Sequence, residues 1–356
     1  MVMKQYIFFF IIAITSFFSL RTRSIHRKIN PGTPCFSISW HNDTKIYVRY
    51  DTHFEAHPIF TAFDNSFFLS HLFACGPIDN THDTHKNVDA SQLSSHIEHL
   101  IGEIQQHKKY FTHFDVLQAK NFNYHHKCGL LVLKSKEYPF VVKLFIESPR
   151  TFLNPYIKGF EPVFSYYMSG GANRHMLGFT RIKNLEYIQA KIAADPAWSQ
   201  QIKLPRKWYW IPDNCPWITI VGTNIGTHDT LTVTFPGTYA LIADYIPPTS
   251  SSSFNWNTRS HAIIDLCNYL DMFIDPHATN YLFSPSSIPP YYTITIIDTE
   301  HFPSLLGLKE KVQFTGYIDW LVYLARKAFS DIYLQTKQSR KASVFNSSYP
   351  LALPFT

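Results

Sequence analysis

The sequence predicts an α+β chain in two parts, β-rich first and mainly helical afterwards. Apolar runs rich in β-branched residues, each bounded by turn residues, occupy 129–133, 140–146, 217–221, 230–234 and 239–246. Helical spacing of apolar residues marks Leu93, Ile97, Leu100, Ile101 and Ile104, and then Ala262, Ile263, Leu266, Leu270 and Phe273. Between the β-rich and the later helical part stand Pro247, Pro248 and a low-complexity run from Thr249 to Ser253, which marks the boundary between the two.

Taken in order, residues 1–28 have a chemistry of their own. Lys4 precedes an apolar run over 6–20, and Arg21, Arg23, Arg27 and Lys28 follow it. That pattern reads as a signal peptide or a membrane anchor, since the run matches a signal core of about 7–15 residues better than a span of about 17–25. Export and membrane tethering through residues 6–20 both stay open, as does a third reading, a buried N-terminal helix. A Pro/Gly linker covers 29–35, and the runs 36–40 and 45–50 predict a hairpin around His41. Residues 91–108 predict an amphipathic helix that packs one face. Together these make an N-terminal extension over 29–110.

Further on, 129–133 and 140–146 predict a hairpin, with Lys143 in the middle of its second strand. Helices are expected over about 160–170 and 185–194, separated by Gly170 and Gly171. Strands follow at 205–212, 217–221, 230–234 and 239–246, then a helix over 259–273. Short strands at 281–283 and 291–297 come next, then helices near 305–312 and 317–333, and a loose tail over 341–356.

Composition narrows the classes. Hydrophobic residues make up 45% of the 356 and charged residues 16%, which supplies a large core and excludes wholesale disorder. The 30 Phe and 21 Tyr point to a packed interior. The net charge of +6 is spread in small groups such as Lys108 with Lys109 and Arg206 with Lys207, without a basic stripe interleaved with aromatics, so nucleic acid is not an expected partner. Five scattered cysteines without a Cys-x-x-Cys pair read as inert thiols. Histidine pairs such as His96 and His99 lack the His-Glu-x-x-His spacing of a hydrolytic zinc site, and no Gly-x-Ser-x-Gly elbow occurs.

One constellation carries chemistry. Asp275 precedes Asn280 by five residues just beyond the 259–273 helix, and Asp298 closes the second of the two short strands. Phosphoryl transfer needs such a set: a carboxylate to orient the attacking hydroxyl, and an amide oxygen with a second carboxylate to hold Mg²⁺ at the phosphates. Lys143, embedded in an apolar strand upstream, supplies an ammonium for the phosphates. In this order the four residues resemble the protein-kinase-like superfamily over about residues 112–335. The resemblance implies a bilobal fold with a β-rich N-lobe (111–248) and a mainly helical C-lobe (249–340). It implies ATP and Mg²⁺ as cofactors, Asp275 and Lys143 as catalytic residues, and Asn280 with Asp298 as metal ligands. Lys143 would also bind nucleotide together with Glu161, its expected acidic partner, with Glu147 and Glu186 as poorer candidates.

The same positions have plainer readings: Lys143 as an edge-strand lysine facing water, Asp275 and Asn280 as a turn, Asp298 as a helix cap. Departures from the family also stand out. Residues 115–130 hold a single glycine, Gly129, so there is no Gly-x-Gly-x-x-Gly loop. Phe273 and Ile274 occupy the His-Arg position, and no Ala-Pro-Glu follows Asp298. An atypical phosphotransferase acting on an unknown protein or small-molecule acceptor and a non-catalytic pseudokinase scaffold are therefore both expectations, beside an exported domain of unrelated fold.

Overall fold

The computed structural model describes residues 35–40, 44–49, 60, 62–73, 77–78, 88–148, 151, 171–224, 229–247, 256–272, 274–275, 278–287 and 292–300. Glu161, the expected helices at 160–170, 305–312 and 317–333, the 1–28 segment and the tail lie outside these residues. The described chain is α+β. Among the described residues, no helix is long and apolar enough to cross a membrane.

A five-stranded antiparallel sheet frames the molecule. β5 (Phe114–Asn123), β6 (Cys128–Ser135) and β7 (Phe140–Ile146) form a meander; β12 (Thr238–Asp244) joins β7, and β9 (Lys207–Trp210) closes the far edge. The alternation of β7 divides its side chains between two faces. Phe140, Val142 and Leu144 enter one core and Phe145 the other, and all seven residues of β12 are buried because neighbours cover both faces.

The first face is covered by α2 (Ala90–Gln105), which begins where Asp89 accepts a hydrogen bond from Ser91 N at 2.9 Å. Its stripe of Leu93, Ile97, Leu100 and Ile104 is essentially inaccessible, and each such side chain contributes roughly 1.5–3 kcal/mol. The opposite face meets α1 (Asn65–Ser70), α3 (Gly171–Gly178) and the start of α4 (Arg181–Ala193) through Phe68, Met176, Phe179 and Ile182.

That second core also takes Ile218, Ile220, Val233 and Phe235 from a four-stranded sheet. This sheet runs β11 (Thr230–Pro236), β10 (Trp217–Asn224), β1 (Cys35–Trp40), β2 (Thr44–Arg49), with Phe36 opposite Asn224. The segment expected to be an extension is thus built into the sheets of residues 111–248. A two-stranded ladder pairs β3 (Pro77–Ile78) with β4 (Val88–Asp89).

A third core lies beyond β12. α6 (Trp256–Leu270) packs Ala262, Ile263, Leu266 and Leu270 against Ile188 and Ile192 of α4 and against the pair β13 (Tyr281–Pro285) and β14 (Tyr292–Ile296). α5 (Pro196–Gln201), capped by Asp195, leads into β8 (Ile202–Lys203), which runs parallel to β14. Asp271, with φ of 53°, ends α6 in the left-handed region, and Met272 N returns to Cys267 O at 3.2 Å. The backbone turn delivers Asp275 toward the end of β14.

Candidate functional site

Three elements converge on Asp298. β7 supplies Lys143, α4 supplies Arg181, and the segment leaving β14 supplies Asp298, Thr299 and Glu300. Lys143 Nζ donates to Asp298 Oδ2 at 2.7 Å although 155 residues separate them. Arg181 Nη1 donates to the same oxygen at 3.0 Å, while Nη2 donates to Glu300 Oε2 at 2.7 Å. Thr299 is held on both sides. Its hydroxyl donates to Arg181 O at 2.6 Å, and Asn184 Nδ2 donates to its carbonyl at 2.8 Å. Lys207 Nζ, from β9, donates to Thr299 Oγ1 at 3.0 Å.

Register explains why the two lysines meet. Lys143 stands opposite Leu241 and Lys207 opposite Ala243 on the two flanks of β12. Phe145 and Tyr209, two residues on from each lysine, enter the core shared with α3 and α4. Both ammonium groups therefore share the face that looks toward Arg181. β7 is an interior strand and the Lys143 side chain is only 15% exposed, so the water-facing edge lysine is overturned.

Asp275 and Asn280 adjoin this cluster. Asn280 Nδ2 donates to Asp275 Oδ2 at 3.0 Å and to its carbonyl at 3.2 Å. Asp275 N donates to Glu300 O at 3.0 Å, and Ile297 N donates to Asn280 O at 2.9 Å. Those two backbone bonds tie the 275–280 loop to the residues on either side of Asp298. All four expected residues within the described chain (Lys143, Asp275, Asn280 and Asp298) thus belong to one connected assembly. Glu161, the fifth, lies outside the described residues. Of the poorer alternatives, Glu147 accepts from Thr151 Oγ1 at 2.7 Å, and Glu186 faces His71 Nε2 at 2.7 Å on the surface.

The charges in this space shape one another. Burial alone would raise the Asp298 pKa, but Arg181, Lys143 and Lys207 together hold it well below the ordinary carboxylate range. Burial lowers Lys143 despite the opposing pull of Asp298. Burial takes Lys207 down to about 7. For Arg181 burial is outweighed by Asp298 and Glu300, which raise its pKa. Arg174 of α3 is lowered by burial and feels Glu300, Asp298 and Asp275. Four cationic side chains face three carboxylates, an excess of one positive charge when all are ionised. That sign suits an anionic ligand.

Arg181 and Lys207 carried no motif. Arg181 sits on the same helical stripe as Leu185, Ile188 and Ile192, and Lys207 alternates with Tyr209 in a strand of aromatics. A charge placed on an apolar stripe was the available signal for both. The basic pair Arg206 with Lys207 is divided by the structure: Arg206 grips Asp244 through Nε at 2.9 Å and Nη2 at 2.8 Å, whereas Lys207 turns inward.

Two carboxylate oxygens of this donor set are left without hydrogen-bond donors among the described residues. Asp298 Oδ1 lies 3.0 Å from Arg181 Nη1 yet accepts no hydrogen bond, and neither does Glu300 Oε1, among the described residues. Buried carboxylate oxygens without donors are costly, and a cation would satisfy them. Asn280 spends Nδ2 on Asp275, so Oδ1 is the atom it can offer. No family model, curated protein or solved structure matches the chain.

Proposed function

We propose that this protein is an atypical, kinase-like phosphotransferase that uses Mg²⁺ and ATP, with its site at the junction of β7, α4 and the segment after β14. The observation that carries this reading is the 2.7 Å contact between Lys143 and Asp298. In kinase-like enzymes an ammonium on the third strand and a carboxylate beyond the catalytic loop close on the same phosphates. Lys143 lies on the third strand of the β5–β6–β7 meander, and the Asp275–Asn280 loop is bonded to the Asp298 segment on both sides.

In this reading Lys143 holds phosphate oxygens, released from Asp298 when ligand enters. Asp275, positioned by Asn280, orients the acceptor hydroxyl and receives its proton. Asp298 and Asn280 Oδ1 would hold Mg²⁺, which when bound neutralises charge on the phosphates. Arg181 keeps Asp298 aimed from the α4 side. The bilobal arrangement, with a β-rich N-lobe to residue 248 and a C-lobe after it, belongs to the same proposal.

A non-catalytic pseudokinase scaffold is favoured by one observation. The β5–β6 turn, where a glycine loop would cover phosphates, is built instead from Tyr124, His125, His126 and Lys127, with the two histidine N–H groups donating to Asn123 Oδ1 at 3.0 and 3.1 Å. Thermal shift with Mg²⁺ and ATP separates the readings. The enzyme reading expects stabilisation of the wild type by Mg-ATP, little in Asp298→Asn, and ATP turnover abolished by Asp275→Ala. Stabilisation without turnover would support the scaffold; no stabilisation in either protein would sink nucleotide binding altogether.

A further inference from the structure

A second group of titratable side chains lies at the meander edge, on the α2 side of the five-stranded sheet. α2 presents His96 and His99, three residues apart and therefore on one helical face. His113 directly precedes β5, and Glu137 stands in the turn between β6 and β7. Three separate pieces of chain thus meet there. His113 Nδ1 is 2.7 Å from Glu137 Oε1, and His96 Nε2 is 3.9 Å from Glu137 Oε2. The His96 and His113 rings stack with centroids 3.8 Å apart, and the His99 ring lies 5.4 Å from that of His113.

We propose that His96, His113 and Glu137 form a binding site for a borderline divalent transition ion of the zinc class, which staples α2 to the meander. One donor atom from each residue lies within 4.8 Å of the others. Two ligands about 2.1 Å from a tetrahedral ion stand about 3.4 Å apart, so the 3.9 Å gap between His96 and Glu137 needs only slight closure. His96 also has an unmet need: its Nδ1 is buried without a hydrogen-bond partner among the described residues, and its Nε2 is beyond hydrogen-bonding range of Glu137. Two imidazoles with one carboxylate suit zinc rather than magnesium or calcium, which take mainly oxygen.

Ion capture requires the stacked rings to turn until their in-plane lone pairs converge. That motion disturbs the stacks of His96 on His113 and Tyr138 and one solvent-exposed His–Glu contact, which is weak. Glu137 is 49% exposed, so water can fill the fourth position. The ion would be structural, and the site is independent of the phosphotransferase reading.

The test uses the full chain stripped with chelator. Zn²⁺ is titrated by calorimetry and thermal shift, and Co²⁺ by its visible absorption. One equivalent should bind with a rise in Tm and a tetrahedral Co²⁺ spectrum. His113→Ala should abolish binding, and Glu137→Gln should weaken it at least about 10-fold. Both positions are solvent-accessible, and the Tm of the stripped variants reports their folding. His125→Ala, in an exposed ring pair, should bind as the wild type does. Absence of saturable one-to-one binding, or retention of it in both His113→Ala and Glu137→Gln, overturns the site.

Discussion

Arg181, at the start of α4, donates to Asp298 across 117 residues of chain, and its side chain is 1% exposed. Lys143 reaches the same carboxylate oxygen from the sheet. Asp298, on the irregular segment after β14, is therefore clamped between two secondary-structure elements. The arrangement serves positioning before it serves stability, because a buried ion pair gains little net energy over an apolar pair.

Removing one partner is another matter. Arg181→Met strips both Asp298 and Glu300 of their guanidinium and should destabilise the protein by about 3–5 kcal/mol. Asp298→Asn leaves Arg181 bonded to Glu300 and keeps an acceptor for Lys143, so it should cost less. Chemical denaturation of the two variants side by side checks the order. Equal losses would mean that Glu300 does not depend on Arg181.

Lys207 sets a pH dependence. Its pKa falls from 10.5 in the unfolded chain to about 7 when folded, so between these values the unfolded chain binds more protons. Stability therefore rises with pH above about 7, by at most about 1.4 kcal/mol per unit for one proton. Lys143, lowered in the same direction, adds to the rise. Cys267 opposes it above pH 9, because burial pushes its thiol from 9.0 up to about 12 and its folded form keeps the proton longer. Lys207→Met should flatten the rise between pH 7 and 9 and be relatively most stable near pH 6. Urea unfolding across that range measures the slope.

Gly129 has φ of 122° beside the bulged register of β5 and β6, and a Cβ there would stand 2.2 Å from Asn121 O. Backbone cannot yield as a flexible side chain would. Gly129→Ala should cost more than about 2 kcal/mol, since strain in the left-handed region adds to the clash. A denaturation midpoint close to wild type would show that the β5–β6 pairing can reset. Gly129, the one glycine in 115–130, therefore has a structural explanation at the start of β6.

In the proposed site Asn280 would link positioning to ligand binding. Asn280→Ala loses the part-buried hydrogen bonds to Asp275, which should lower stability by about 1 kcal/mol. Its Mg-ATP-dependent thermal shift should nevertheless be lost. A variant that keeps the full shift would remove Asn280 from the metal-ligand set.

Periodicity made most elements legible. The 140–146 strand, the 36–50 hairpin and the helix near 91–108 follow directly from alternation or from 3.6-residue spacing, because each has a single apolar face to bury. β5 was not legible: its core-facing residues are interrupted by polar Gln118, Lys120 and Asn121, and bulges break its alternation. β8 has only two residues, and no local pattern specifies a parallel pairing with β14 across some 90 residues. The site was readable where a spacing encodes it, as in Asp275 with Asn280. Arg181, Lys207 and the His96–His113–Glu137 cluster were not readable, since their roles exist only once distant strands and helices are registered.

The pairing of Phe36 with Asn224 imposes an order of events on biosynthesis. At about 5–20 residues per second, the first hairpin waits roughly 10–40 s for the strand that completes its sheet. Through that interval one flank of β1 offers unpaired amides and carbonyls to any neighbouring chain. Nascent copies crowded on one messenger are thus the setting in which this protein is most exposed to swapping hairpins with its siblings.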